Sequence, residues 1–241
     1  TYRITAPGPV QLQATLSSGG RTGDAELLGY ASNLPILDFD LPDADWDAMR
    51  ASPGDDLWFD APLTVDDVQY PARVRLHGGS SREFLKKSLR FDLLDGAKLP
   101  RGSDHLVLRA EWPDKTMLRN FLAMELIRAG TWLAAPRTEF VHVRRNGQFH
   151  GLMLWTERID GDFLRSNGYD PDGSLYEADP PLAHAGPGGS LRPLPDRAEY
   201  AIVYQHHRGD VDYDDLIELI EGLLQSDPDT KHVSESLAAM D

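Results

Sequence analysis

The chain has 241 residues, 41% of them hydrophobic and 9% aromatic, enough to bury a real core in one large domain or two small ones. Its 39 acidic residues outnumber 24 lysines and arginines for a net charge of −15, which disfavours nucleic acid and anionic membrane surfaces as general partners. It has no cysteine, which removes disulfides, thiolate metal sites and cysteine nucleophiles, and no apolar run of the roughly 18 residues that a membrane span requires.

Residues 1–33 mix Gly, Ser and Thr with short β-like runs, as in a leader strand or the end of a preceding module. LPILDFDL (34–41) reads as a strand, and PDADWDAMRAS as a helix with Asp43 as its N-cap and Trp46 and Met49 at helical spacing. LWFDAPLTV and VQYPARVRLHG read as two strands around a turn at Asp66-Asp67, followed by strands in KKSLRFDLL and DHLVLRAEW. PDKTMLRNFLAMELIRAG (113–130) is the clearest helix, opened by Pro113 and Asp114 and stopped by Gly130. TEFVHVRR and QFHGLMLWTERI flank Asn146-Gly147, the strongest short-range hairpin signal. Residues 166–197 are rich in Gly and Pro and read as a long loop or insert; DYDDLIELIEGLLQSD (212–227) reads as a helix with acids at its favourable N-terminal end. A third helix is suggested where the chain reaches AAMD. The pattern as a whole predicts an α+β fold of mostly antiparallel sheets with packed helices.

Between two of these strands lies HGGSSREFLKKS (77–88). Gly78 and Gly79 permit positive φ and close approach of backbone amides to an anion, and Ser80 and Ser81 add hydroxyl donors. The spacing matches neither GxGxxG nor GxxxxGK[ST], so a solvated turn before a basic strand stands as the alternative. Leu89, Phe91 and Leu93 share one face of the following strand, and period two carried backwards places Lys87 on that buried face and Lys86 on the solvated one. A buried lysine requires a partner. The same phase on LMLWTERID aligns Glu157 with Met153 and Trp155, so a Lys87–Glu157 ion pair is the economical solution. Arg119, near the start of the 113–130 helix, reads either as a plain helix residue or as a phosphate ligand. Asp160 and Asp162 read as loop caps or metal ligands, and His206-His207 lacks the spacing of a zinc site.

In order along the chain, VRLHGGSSREFLKKSLRF, DKTMLRNFLAMEL, APRTEFVHVRRNGQFHGLMLWTERID and DYDDLIELIEGLL resemble the CotH kinase family of spore-coat-type and secreted atypical protein kinases. The family pattern is a basic strand, R-G-N-S-S, K-K-S, a D-K-T-x-x-R-N helix, N-G-x-x-x-G and E-K-I; Gly79 stands here in place of the Asn and Arg158 in place of the EKI lysine. The resemblance implies an atypical protein-kinase-like domain over 34–241 that transfers phosphate from ATP, with Mg²⁺, to Ser or Thr of a protein substrate such as a coat or surface protein. It implies nucleotide contacts from Gly78, Gly79, Ser80, Ser81, Lys87, Arg119 and Glu157, and an extracytoplasmic or cell- or spore-surface location. The family's catalytic aspartates fall in segments expected beyond Asp241, so the chain alone is expected to be inactive. The alternative reading is a non-catalytic CotH-like binding or structural module of a coat, envelope or polysaccharide-associated complex.

Overall fold

A computed structural model describes residues 8–18, 21–31, 33–100, 102–178, 189–209 and 212–225, with side chains from residue 33 to Leu223. The suggested helix at AAMD lies outside the described residues. The fold is α+β, and the chain divides into two compact units, Thr1–Arg158 and Ile159–Asp241. No described helix is long and apolar enough to cross a membrane.

In the first unit, β1 (Gly8–Ser18) and β2 (Arg21–Ala31) form an antiparallel pair of their own. A second sheet collects β3 (Ile36–Phe39), β4 (Phe59–Asp60), β5 (Leu63–Val65), β6 (Val68–Tyr70), β7 (Ala72–Leu76), β8 (Leu89–Leu93), β9 (His105–Arg109), β10 (Thr138–Arg145) and β11 (Gln148–Thr156). Their spatial order is β4-β7-β8-β9-β11-β10-β3-β5-β6, with only β3 and β10 parallel. Each of the two strands expected over 57–65 and 68–78 is broken in two, at Pro62 and Pro71. Proline has no N–H to give a ladder, so pairing stops there. Asp66 and Asp67 form the tight turn between β5 and β6, both at positive φ (49° and 65°), as a type I′ turn demands.

Alternation along β7 and β8 buries Val74, Leu76, Leu89 and Phe91 on one face. Helix α1 (Asp43–Ala51) adds Met49 to the same core, with Trp46 packed at its border. Asp43 is the first helical residue rather than the expected cap: Pro42 occupies the cap position, no side chain caps the helix, and Asp43 and Asp45 instead favour the positive end of the dipole. Helix α2 (Arg119–Gly130) starts six residues later than Pro113, because Met117 adopts φ 58° and residues 111–117 turn on themselves. Gly130 is its last residue, Thr131 closing it by donating to Ile127 O. Phe121 meets Phe140 of β10, ring centroids 5.1 Å apart, whereas Leu122 and Leu126 of the same helix are exposed. The β10–β11 hairpin forms as expected, with Asn146 and Gly147 at φ 52° and 74°.

The second unit holds α3 (Gly161–Ser166), β12 (Leu175–Ala178), α4 (Arg197–Val203), β13 (Tyr204–Arg208) and α5 (Asp214–Gln225) around Tyr200, Val203, Tyr213 and Ile220. Asp160 caps α3 by accepting from the amides of Asp162 and Phe163. The Gly- and Pro-rich stretch is not wholly a loop, since β12 within it pairs with β13; residues 179–188 lie outside the described residues. His206 and His207 lie on β13, where His207 Nε2 meets Glu177 at 2.9 Å and His206 packs against the Tyr176 ring.

Candidate functional site

The connection from β7 to β8 is pinched at its base, where His77 N donates to Ser88 O at 2.9 Å. Within it Gly78 has φ 105°, and a side chain there would overlap the Ser81 hydroxyl. Gly79 has open space around it and accepts from Arg82 N at 3.1 Å, starting the 3₁₀ turn Ser80–Glu83. Gly79 and Ser80 are exposed, and Gly78 and Ser81 half-buried.

Lys87 is 7% exposed, as the strand phase predicts, but its partner is local: Nζ donates to the carbonyl of Arg82, closing the 3₁₀ turn. It also lines a cleft of about 340 Å³ shared with Asp47 and Arg50 of α1. Glu157 is elsewhere engaged: its carboxylate accepts from Arg137 N at 3.0 Å while its own amide donates to Arg137 O at 2.9 Å. Among the described residues no ion pair joins Lys87 to Glu157, so the expected pairing is corrected. A backbone carbonyl five residues away on the Lys87 side, and a backbone amide 20 residues away on the Glu157 side, satisfy the two charges separately.

The lysine placed on the solvated face takes the more connected position. Lys86 is half-buried, and its Nζ donates to Ala110 O at 2.9 Å and Leu152 O at 2.5 Å. Ala110 follows the last residue of β9 and Leu152 lies mid-way along β11, both just past Arg109–Leu154, where the two strands stop pairing, so the ammonium bridges a split in the sheet. Strand β8 begins only at Leu89, so two-residue alternation does not reach Lys86. The side chain crosses β11 at Gly151, where a Cβ would lie 3.3 Å from Lys86 Cε; the last glycine of N-G-x-x-x-G thus gives it room. Burial lowers the Lys86 pKa, and the carboxylate of Glu111 opposes that shift. His150, packed edge-on against Trp46 and Phe39, is held below its ordinary pKa by burial, then by the charges of Arg145 and Lys86.

Glu111 is buried, at φ 50°, and both its oxygens accept from Asn120 Nδ2, at 3.0 and 2.8 Å. Asn120 is the last residue of D-K-T-x-x-R-N. The first residue, Asp114, accepts from Thr116 N and Oγ1 and from Arg119 N at 2.8 Å. The Arg119 amide, then the Thr116 hydroxyl, hold its carboxyl below the ordinary range. Arg119 itself is 82% exposed, its Nε 3.7 Å from Asp114.

Lys86, Glu111, Asn120 and Gly151 are thus brought to one place from K-K-S, the β9 end, the D-K-T helix and the hairpin, whereas Lys87, Arg119 and Glu157 are not drawn into that cluster. Sequence phase missed Lys86; the signal that could have found it was the Gly151 gap in an otherwise bulky strand. A lysine held by neutral carbonyls near a carboxylate can turn toward an incoming phosphate while remaining charged. Among the described residues no group of three or more His, Asp or Glu could hold a metal ion.

The sequence signature described as CotH kinase protein matches residues 74–240. Inner spore coat protein H of Bacillus subtilis (strain 168) is 28% identical over 152 residues, 61% of this chain and 40% of that protein. The chain therefore spans less than half the length of that relative. With the family signature covering more than half of its length, the chain belongs to the CotH kinase protein family.

Proposed function

We propose that this chain carries the nucleotide-gripping part of an ATP-dependent phosphotransferase acting on Ser or Thr of a protein. The observation that carries the reading is the convergence of Lys86, Glu111 and Asn120, with Gly151 opening the path of the lysine. Phosphoryl transfer asks mainly for positioning and charge neutralisation. In this reading Lys86 leaves the two carbonyls to neutralise the phosphates, and Glu111, fixed by Asn120, keeps the lysine charged and aimed. The exposed Gly79 and Ser80 amides and hydroxyl, with Gly78, Ser81 and Lys87 behind them, form the neighbouring loop; Arg119 and Glu157 flank α2 and β11. Mg²⁺ would supply further neutralisation of the phosphate charge; among the described residues no group of three or more His, Asp or Glu could hold it. A coat or surface protein is the proposed acceptor class, on the strength of the relative's name.

The test is Mg-ATP calorimetry and labelled-phosphate transfer with the full-length protein, comparing wild type with Lys86→Met and Lys87→Ala. The expected result is binding lost by at least about tenfold in Lys86→Met and largely kept in Lys87→Ala. A full-length protein that folds yet ignores ATP would sink the reading. It would leave the second one, a binding or structural module at a coat or envelope, which the spore-coat relative favours.

A further inference from the structure

The face of β4, β7 and β8 opposite the core is lined with arginine. Register places Arg73 across from Asp60 and Asp92, and Arg75 directly across from Arg90, a like-charge pairing that destabilises a sheet unless something negative compensates it. The compensation present is thin. Arg73 and Arg90 share Asp92, at 3.3 and 2.8 Å, while Arg75 and Arg82 share Asp56, at 2.8 and 2.7 Å. Four guanidiniums thus rest on two carboxylates, with Asp60 exposed at the margin. The Nε atoms of Arg73, Arg75 and Arg82 are buried without a hydrogen-bond partner. Trp58 lies under three of these arginines, 4.3 Å from Arg73, 5.2 Å from Arg75 and 5.5 Å from Arg90. Such stacking orients guanidinium planes without consuming their donors.

The two carboxylates differ in kind. Asp92 is buried and also bound by His105 at 2.8 Å, so it belongs to the sheet. The Asp56 side chain is 63% exposed and sits on the connection between α1 and β4, yet it faces guanidiniums only 13% and 14% exposed. A solvated carboxylate plugging two sunken arginines is the arrangement of a displaceable counter-ion. On a chain of net charge −15, this is a local positive site with its own stopper.

We propose that Arg75, Arg82 and Arg90 form a binding site for a phosphate-bearing oligoanion, and that the Asp56 carboxylate occupies it until the ligand displaces it. A polyphosphate offers several acceptor oxygens at once, matching forked guanidinium donors in a way one carboxylate does not. The ligand is a free polyphosphate or the phosphate tail of a nucleotide. The site requires no chemistry at Lys86 and stands whether or not the chain transfers phosphate.

The test is calorimetry at low ionic strength with the full chain, using inorganic tripolyphosphate and ATP in separate titrations. Asp56→Asn, which removes the competing charge from an exposed position, tightens tripolyphosphate binding by about fivefold or more, and Arg75→Gln weakens it by about tenfold or more. Should Arg75→Gln fail to fold by circular dichroism, Arg82→Gln on the loop takes its place. If ATP shows the same dependence on Arg75 and Asp56, the ligand is the nucleotide tail; if only tripolyphosphate does, it is a free polyphosphate. Tripolyphosphate bound and ATP ignored keeps this site while removing the nucleotide reading. No tripolyphosphate binding, or affinity indifferent to both substitutions, overturns the proposal.

Discussion

Two of the connections that join neighbouring antiparallel strands in the large sheet are built on opposite principles. Between β10 and β11 the chain reverses in two residues, Asn146 and Gly147, whose positive φ values make the turn. Between β7 and β8 it takes residues 77–88, and several side chains there are held by groups distant in sequence, Ser88 Oγ accepting from Ala110 N among them. Lys86 rests on Ala110 and Leu152 and needs Gly151 to pass, and Arg82 rests on Asp56. A tight turn is a local solution that any suitable dipeptide reaches. The long connection is a tertiary solution, and only such a segment can bring cations from several elements to one edge.

The sharpest way to break the contrast is Lys86→Met, which keeps the stem and removes the donor. Two half-buried carbonyls lose their partner, and a loss of about 2–4 kcal/mol is expected in chemical denaturation. A cost below about 0.5 kcal/mol would mean the lysine only visits these carbonyls. Next in size is Asn146→Gly. Glycine suits the turn at least as well, so a purely local device would not notice. But Asn146 Oδ1 accepts from Leu41 N and its Nδ2 donates to Leu41 O, both at 2.8 Å, and losing both should cost about 1–2 kcal/mol. A neutral or stabilising outcome would show that the turn is as self-contained as its dihedral angles.

The smallest effect is a pH slope carried by the long connection. His77 is held down to about 4 from 6.5, by burial first and then by Arg109, Arg75 and Arg90. Its folded pKa lies below the unfolded one, so the unfolded chain takes up the proton first. Stability therefore falls as pH drops below about 6.5, and the loss levels off near 4. Between about pH 7 and about pH 5 this contributes on the order of 1 kcal/mol, allowing for partial exposure. His77→Gln should flatten that part of the stability curve; an unchanged slope would place its origin in other groups.

Much of the fold was legible because its signals are local. The Asn-Gly turn, the alternation of Leu89 and Phe91 and the Asp66-Asp67 reversal each depend on residues within a few positions. The start of α2 was misread because Asp114 looks like a cap beside Pro113, whereas its carboxylate reaches the amide of Arg119 across a turn that Met117 makes at positive φ. The Lys87–Glu157 pair failed for a related reason. Period two was extended through residues that are not strand, and each charge found a backbone partner of its own, Lys87 within its loop and Glu157 on the Arg137 amide.

The sequence by itself determined the α+β class, the order of most strands and helices, and the four segments that resemble the CotH family, because hydrophobic period, turn chemistry and motif order are written along the chain. Tertiary structure alone decided that Lys86 rather than Lys87 meets Glu111's neighbourhood, that Gly151 is the gap through which it passes, and that Arg75 and Arg90 face each other across two strands. Those outcomes depend on register and on where strands stop pairing, and both are settled between segments far apart in sequence, where no single stretch carries the information.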